Sequence, residues 1–175
     1  MTTHLISGGA RSGKSRFAES LALAHQGPVT YIATAQVRDG EFAQRVAHHQ
    51  ARRPSHWALA ESRRELAALL RAQSAPDTLL LVDCLGMWLM HFFGEDGALD
   101  EPAFTAEKVA LLAALPVLPG TVLLVSNETG WGVVAADAMT RRFVDELGRL
   151  NQGVAAVCDQ VTLVACGLPL VLKTP

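Results

Sequence analysis

Charge is scarce in this chain, cysteine is scarcer, and long apolar runs are missing. Only 18% of its 175 residues are charged and 50% are hydrophobic, which excludes a disordered chain and marks a globular one. The formal net charge is −2, so there is no overall basic footprint for nucleic acid. The three cysteines, Cys84, Cys158 and Cys166, have no metal-ligand spacing and make no even disulfide framework. They are expected to be buried free thiols in a reducing compartment. No apolar run is long enough to span a bilayer. Met1-Thr2-Thr3-His4 lacks the basic start and apolar stretch of a signal peptide, so a cytoplasmic location is the expectation. Repeats, low-complexity tracts and linkers are also missing, and the expectation is a single domain over residues 1–175 with a sizeable core.

What is present begins with Gly8-Gly9-Ala10-Arg11-Ser12-Gly13-Lys14-Ser15. This fits the phosphate-binding pattern G-x-x-x-x-G-K-[ST]. His4 to Ser7 reads as a short buried strand before it, and Arg16 to His25 as a helix after it, with Phe17, Leu21 and Ala24 at helical spacing. In that context glycines let the backbone curl its N–H groups toward phosphate oxygens, and the helix start adds partial positive charge. Lys14 is placed to reach the β- and γ-phosphates, and Ser15 to hold Mg²⁺.

Strands are further expected at Val29 to Ala33, Trp57 to Ala60, Thr78 to Val82 and Thr121 to Ser126, with a closing hairpin of Val161 to Cys166 and Leu168 to Leu172 around Gly167. Helices are expected from about Gly40 to Arg52, Arg63 to Gln73, Leu85 to Phe93, Glu101 to Leu115, and Ala135 to Ala156, the last interrupted by Gly148 and Gly153. Alternating apolar strands and helices predict an α/β fold: a mostly parallel central sheet covered on both faces, edged by an antiparallel hairpin. Thr34-Ala35-Gln36 and Asn127 to Gly132 then fall at the carboxyl edge of the sheet, where ligands bind in such folds. Asp83, closing an apolar strand, resembles a Walker B acid able to hold the Mg²⁺ shell. Cys84 follows it, so the Asp-Glu pair often used by ATPase motors is missing. Met87 to Phe93 is a methionine and aromatic cluster suited to a core or a subunit contact.

The pattern goes further. The P-loop, Tyr31-Ile32-Ala33-Thr34, the run His48-His49-Gln50-Ala51-Arg52-Arg53-Pro54-Ser55-His56-Trp57, Ser126-Asn127-Glu128 and Asn151-Gln152 together resemble one family over nearly the whole chain. It is the bifunctional adenosylcobinamide kinase / adenosylcobinamide-phosphate guanylyltransferase family of cobalamin biosynthesis, and the His-His-x-x-x-Arg-Pro-x-x-Trp run is its specific part. The resemblance implies a RecA-like P-loop NTPase fold, a homotrimer with active sites near subunit boundaries, and two reactions. ATP or GTP phosphorylates adenosylcobinamide. GMP from GTP is then transferred through a histidine onto adenosylcobinamide phosphate, giving adenosylcobinamide-GDP and pyrophosphate. The resemblance makes His49 the GMP carrier, with His48 the second choice. It carries nucleotide contacts to Gly8 through Ser15, to Ala33, Thr34 and Ala35, to Gln50, Ala51, Arg52 and Arg53, and to Glu61 and Asp83. The family often has Glu where this chain has Asp83, whose shorter side chain keeps the charge and shortens the reach.

The chemistry is consistent with those residues. A neutral imidazole can attack the α-phosphorus and later leave, and its unperturbed pKa of about 6.5 keeps it largely neutral near pH 7. Arg52 and Arg53 suit the charge that develops on phosphate oxygens. On the residues alone, His49 would read as a packed helix histidine sharing a face with Phe42 and Val46. Two other readings stand beside the family one: a P-loop kinase for another small metabolite, and a RecA-like nucleotide switch acting on nucleic acid.

Overall fold

The computed structural model describes residues 2–35 and 54–175. The expected helix from Gly40 to Arg52, with His48 and His49, lies outside the described residues.

Seven strands form one sheet: β1 (Thr3–Gly8), β2 (Val29–Ala33), β3 (Ala58–Glu61), β4 (Leu79–Asp83), β5 (Thr121–Asn127), β6 (Gln160–Ala165) and β7 (Leu168–Lys173). Their order is β3-β2-β4-β5-β1-β6-β7. Every pairing is parallel except the closing β6–β7 hairpin. The described helices are α1 (Lys14–Ala24), α2 (Leu66–Gln73), α3 (Leu85–Met90), α4 (Glu101–Ala114) and α5 (Ala138–Val157), with a 3₁₀ turn at Leu115–Val117.

The strands are apolar on both faces because both are covered. On one face Ile6, Tyr31, Leu81, Leu123 and Val125 pack against Ala18 and Ala22 of α1. On the other, Leu5, Ile32, Val82 and Leu124 pack against α2, α3, α4 and α5 through Leu70, Trp88, Leu111 and Leu150. Side chains alternate along each strand, so residues at a strand's end are assigned to one face or the other by parity.

Several expectations change. Of the two roles open to the Met87 to Phe93 cluster, core or subunit contact, its aromatic centre takes the core: Trp88 and Phe92 are both 0% exposed. They meet edge-on at 5.4 Å; against Phe104, Phe92 is edge-on at 5.4 Å and Trp88 tilted at 6.0 Å. The Trp88 indole N–H donates to Arg64 O at 3.0 Å, which satisfies the one polar group that burial would otherwise strand. Helix α3 stops at Met90 because the chain turns there to form a bridge between Phe93 and Leu99. Helix α5 runs through Gly148 and Gly153 without a break. A Cβ at Gly153 would meet Leu112 at 3.1 Å, so this glycine lets α4 and α5 approach closely. α5 starts at Ala138, capped by the Asp137 carboxylate accepting from Thr140 N–H. Of the three free cysteines, Cys158 is buried, Cys84 half-buried and Cys166 exposed at the hairpin turn.

Candidate nucleotide site

The site is built on the carboxyl edge of the sheet. β1 is buried over its whole length, and the chain leaves it at Gly8 to enter the P-loop. A side chain at Gly8 would come within 2.4 Å of Val164 O, so the loop can start there only from glycine. Gly13 has φ +98°, a left-handed conformation that opens α1 directly at Lys14. Arg11 is also left-handed, at φ 56°. The hairpin turn supports the loop from behind, where Gly167 N–H donates to Ser12 O at 2.8 Å. Lys14 is 9% exposed and its ammonium donates to Gly9 O at 3.2 Å, so the cation is folded along the inside of the loop. Ser12 Oγ is buried and has no hydrogen-bond partner among the described residues. A buried orphan hydroxyl beside a ring of backbone amides fits a phosphate oxygen.

Register aligns the rest of the edge. Ala33 pairs with Glu61 on one side and with Asp83 on the other, so these three expected contact residues stand in one row. Asp83 is half-buried, on the α1 face, and accepts from the Tyr31 hydroxyl at 3.1 Å. Ser15, half-buried in the first turn of α1, lies on that same face. Thr34 is 1% exposed and its hydroxyl donates to Cys84 O at 2.7 Å, which ties the end of β2 to the end of β4. Glu61 is exposed, with its side chain open to a ligand. Burial, and next the charge of Asp83, push the Cys84 thiol up to about 11. Gln50, Ala51, Arg52 and Arg53 lie outside the described residues, as does the His48-His49 pair.

Two networks here go beyond the sequence reading, which had Ser126-Asn127-Glu128 and Asn151 as parts of the family-like runs. In one, Arg64 Nε donates to His91 O at 3.0 Å, while His91 Nε2 donates to Thr34 O at 2.6 Å. In the other, Glu128 Oε1 accepts from the Ser7 hydroxyl at 2.8 Å and from Asn151 Nδ2 at 3.3 Å. Asn151 also accepts from the Ser126 hydroxyl at 2.6 Å and donates to Asn127 O at 3.0 Å. A signal for Asn151 exists in the sequence: it falls in the stripe Leu147, Leu150, Asn151, Val154, a polar residue on the buried face of an amphipathic helix. Beyond Glu128 the loop exposes Trp131 (74%), Val133 (99%) and Val134 (80%).

Among the described residues no group of three or more His, Cys, Asp or Glu side chains could hold a metal ion. The oxygen donors Ser15 and Asp83 on one face do fit Mg²⁺ carried in with a nucleotide, because Mg²⁺ takes one or two protein ligands beside phosphates and water. No described helix is long and apolar enough to cross a membrane.

Comparison with known proteins agrees with this geometry. A family model described as cobinamide kinase / cobinamide phosphate guanyltransferase matches residues 4–172. The bifunctional adenosylcobalamin biosynthesis protein CobP of Pseudomonas aeruginosa is 50% identical over 97% of this chain and 96% of its own. The bifunctional adenosylcobalamin biosynthesis protein CobU of Salmonella typhimurium is 41% identical, over 97% of this chain and 98% of its own, and that of Escherichia coli is 37% identical over the same shares. Among solved structures, the ATPase EscN of the enteropathogenic E. coli type III secretion system superposes with a TM-score of 0.57 at 13% identity, covering 94% of this chain and 43% of that one. A Pyrococcus horikoshii protein gives 0.60 at 7% identity, covering 99% and 86%. At such identities these two likenesses speak for the fold alone.

Proposed function

The chain belongs to the cobinamide kinase / cobinamide phosphate guanyltransferase family, and from that membership we propose that it phosphorylates adenosylcobinamide with ATP or GTP and then transfers GMP from GTP onto the new phosphate. The observation that carries this reading is the match over residues 4–172, which spans both the P-loop and the His-His run.

In the first reaction the P-loop amides hold the nucleotide phosphates and Lys14 follows the charge of the transferring phosphoryl group. Ser15 and Asp83 would hold Mg²⁺, which would neutralise charge on the phosphates. Ala33, Thr34, Ala35 and Glu61 line the same edge as further nucleotide contacts. In the second reaction His49 attacks the α-phosphorus of GTP, pyrophosphate leaves, and the phosphate of adenosylcobinamide phosphate takes the GMP. Arg52 and Arg53, with Gln50 and Ala51, meet the charge on the nucleotide. His48 is the control position.

The working form is a cytoplasmic homotrimer. In place of the buried Trp88 cluster, support for association comes from β7: Leu168, Leu170, Val171 and Leu172 are all more than half exposed on the free edge of the sheet. Such an edge is a template for pairing with another chain. Light scattering should give roughly three times the mass of the 18.7 kDa chain; a fully active monomer would remove the assembly.

The reading is tested by incubating the protein with adenosylcobinamide, GTP and Mg²⁺ and following the corrinoid by mass. Adenosylcobinamide phosphate should form and convert to adenosylcobinamide-GDP. Conversion that stops at the phosphate would leave a kinase only, and no conversion would overturn the reading.

A further inference from the structure

We propose that Glu128 is the general base of the phosphorylation step. This rests on the kinase reading above and adds to it the group that takes the proton. β5 lies between β4, which ends in Asp83, and β1, which opens into the P-loop. Gly8 pairs with Asn127, so Glu128 is the first residue past the last paired position, and its own N–H donates to Gly8 O at 3.1 Å. The carboxylate therefore stands at the root of the loop that carries Lys14.

Its hold is one-sided. Oε1 receives both the Ser7 hydroxyl and the Asn151 amide, while Oε2 has no hydrogen-bond partner among the described residues. Two donors on one oxygen fix the plane of the carboxylate and leave the other oxygen with its lone pairs available. Ser7 and Asn151 belong to the α5 side of the sheet and Tyr31 and Asp83 to the α1 side. The carboxylate is thus held from the face of the edge opposite Asp83 and Ser15, the oxygen donors that fit the metal.

Other groups at this edge have other tasks. Asp83 receives Tyr31 and fits Mg²⁺, Glu61 stands as a nucleotide contact at the end of β3, two strands beyond β4, and the His91 ring is bonded to Thr34 O. The loop that follows Glu128 presents Trp131, Val133 and Val134 to solvent, apolar surface suited to a large acceptor whose hydroxyl must arrive beside the carboxylate.

The step balances as follows. The acceptor O–H gives its proton to Glu128 Oε2 as the oxygen forms its bond to the γ-phosphorus. The bond from that phosphorus to the β,γ-bridging oxygen breaks, and its electron pair leaves with the nucleoside diphosphate.

Glu128→Gln keeps an acceptor for Ser7 and Asn151 and removes the base. Kinase kcat should fall by about 10²–10⁴-fold. Nucleotide Kd, acceptor KM and labelling of the protein by GTP should stay within a few-fold of wild type. Glu128→Asp should recover at least part of the lost kcat, and Glu128→Ala none. A Glu128→Gln enzyme with near-normal kcat would overturn the proposal. So would a loss of kcat matched by an equal loss of nucleotide binding, because that is the signature of a purely structural role. Should Glu128→Gln fold poorly, kcat per folded molecule in Glu128→Asp against Glu128→Ala decides between the same two results. Wild-type protein inactive on adenosylcobinamide would remove the kinase reading itself, whereas an active wild type with an equally active Glu128→Gln removes only the base.

Discussion

Asp83 and Glu128 are both half-buried carboxylates at the carboxyl edge of the same sheet, yet they are held differently. Asp83 ends β4 on the α1 face and, among the described residues, accepts from the Tyr31 hydroxyl. Glu128 stands just past β5 on the α5 face, locked by Ser7, Asn151 and its own N–H on Gly8. A lightly held acid can rotate to meet an ion that arrives with each nucleotide. One pinned by two neutral donors keeps a fixed orientation, which suits a proton acceptor that must be in line at the moment of transfer. The alternation of the pleat separates these two tasks over three adjacent strands.

The comparison breaks first if the P-loop cation is dispensable. Lys14→Ala should cost kinase turnover at least about 10²–10³-fold, the scale expected for a positioned charge in a phosphoryl transition state. Near-normal phosphorylation of adenosylcobinamide by this variant would defeat the P-loop assignment.

A sharper version uses Mg²⁺. Asp83→Asn should lower kinase turnover about tenfold or more at limiting Mg²⁺ and regain part of it as Mg²⁺ is raised, since the nucleotide and water supply the remaining ligands. Glu128→Gln should gain nothing from added Mg²⁺. Equal Mg²⁺ responses in a titration of the two variants would mean that the acids share one role.

The scaffolds behind the acids should differ by less. Asn151→Ala strands the Ser126 hydroxyl, Asn127 O and one donor to Glu128, and should lower unfolding free energy by about 1–3 kcal/mol. Tyr31→Phe removes a hydroxyl from Asp83 and should cost about 0.5–1.5 kcal/mol. Urea unfolding of the two variants compares them; a larger loss for Tyr31→Phe would invert the picture.

Smallest is a pH effect from β1. His4 is 6% exposed, its ring is bonded to the Thr162 hydroxyl at 2.9 Å, and burial holds its pKa below the usual 6.5. The unfolded chain then binds more protons than the folded one below pH about 6.5. Stability should fall as pH drops from that value through the lower folded pKa, and be flat above it. His4→Gln should flatten the slope in that window; an unchanged slope would assign it to other groups.

The edge itself was legible because each clue was local. A glycine-rich run between an apolar strand and a helix, and an acid closing another apolar strand, announce themselves within a few residues of sequence. Trp88 and Trp131 show where that stops. Both sit among small and apolar neighbours in the sequence, but Trp88 is fully buried against Phe92 and Phe104 while Trp131 is 74% exposed. Partners as distant as Phe104 decide the difference, and no window around Trp88 contains them. Glycines misled in α5 for the same reason: Gly153 reads as a breaker until Leu112 of α4 is seen against it. The clamp on Glu128 joins Ser7, Glu128 and Asn151 from three elements; Glu128 and Asn151 stood in separate family-like runs, and Asn151 also in a buried helical stripe, but no local pattern joins them. His49 rests on the family resemblance, and its surroundings lie outside the described residues.

The most direct test of the two-reaction account is labelling of the protein by GTP carrying a labelled α-phosphate, in the presence of Mg²⁺ and without acceptor. The account predicts label retained on the denatured wild-type protein, labile to acid and stable to alkali as a phosphorus–nitrogen bond is. It predicts loss of that label in His49→Ala and its retention in His48→Ala, with kinase turnover surviving in part in His49→Ala. Label that persists in His49→Ala and vanishes in His48→Ala would move the nucleophile by one residue. Wild-type protein that never takes label at saturating GTP would contradict the covalent route and leave a plain kinase.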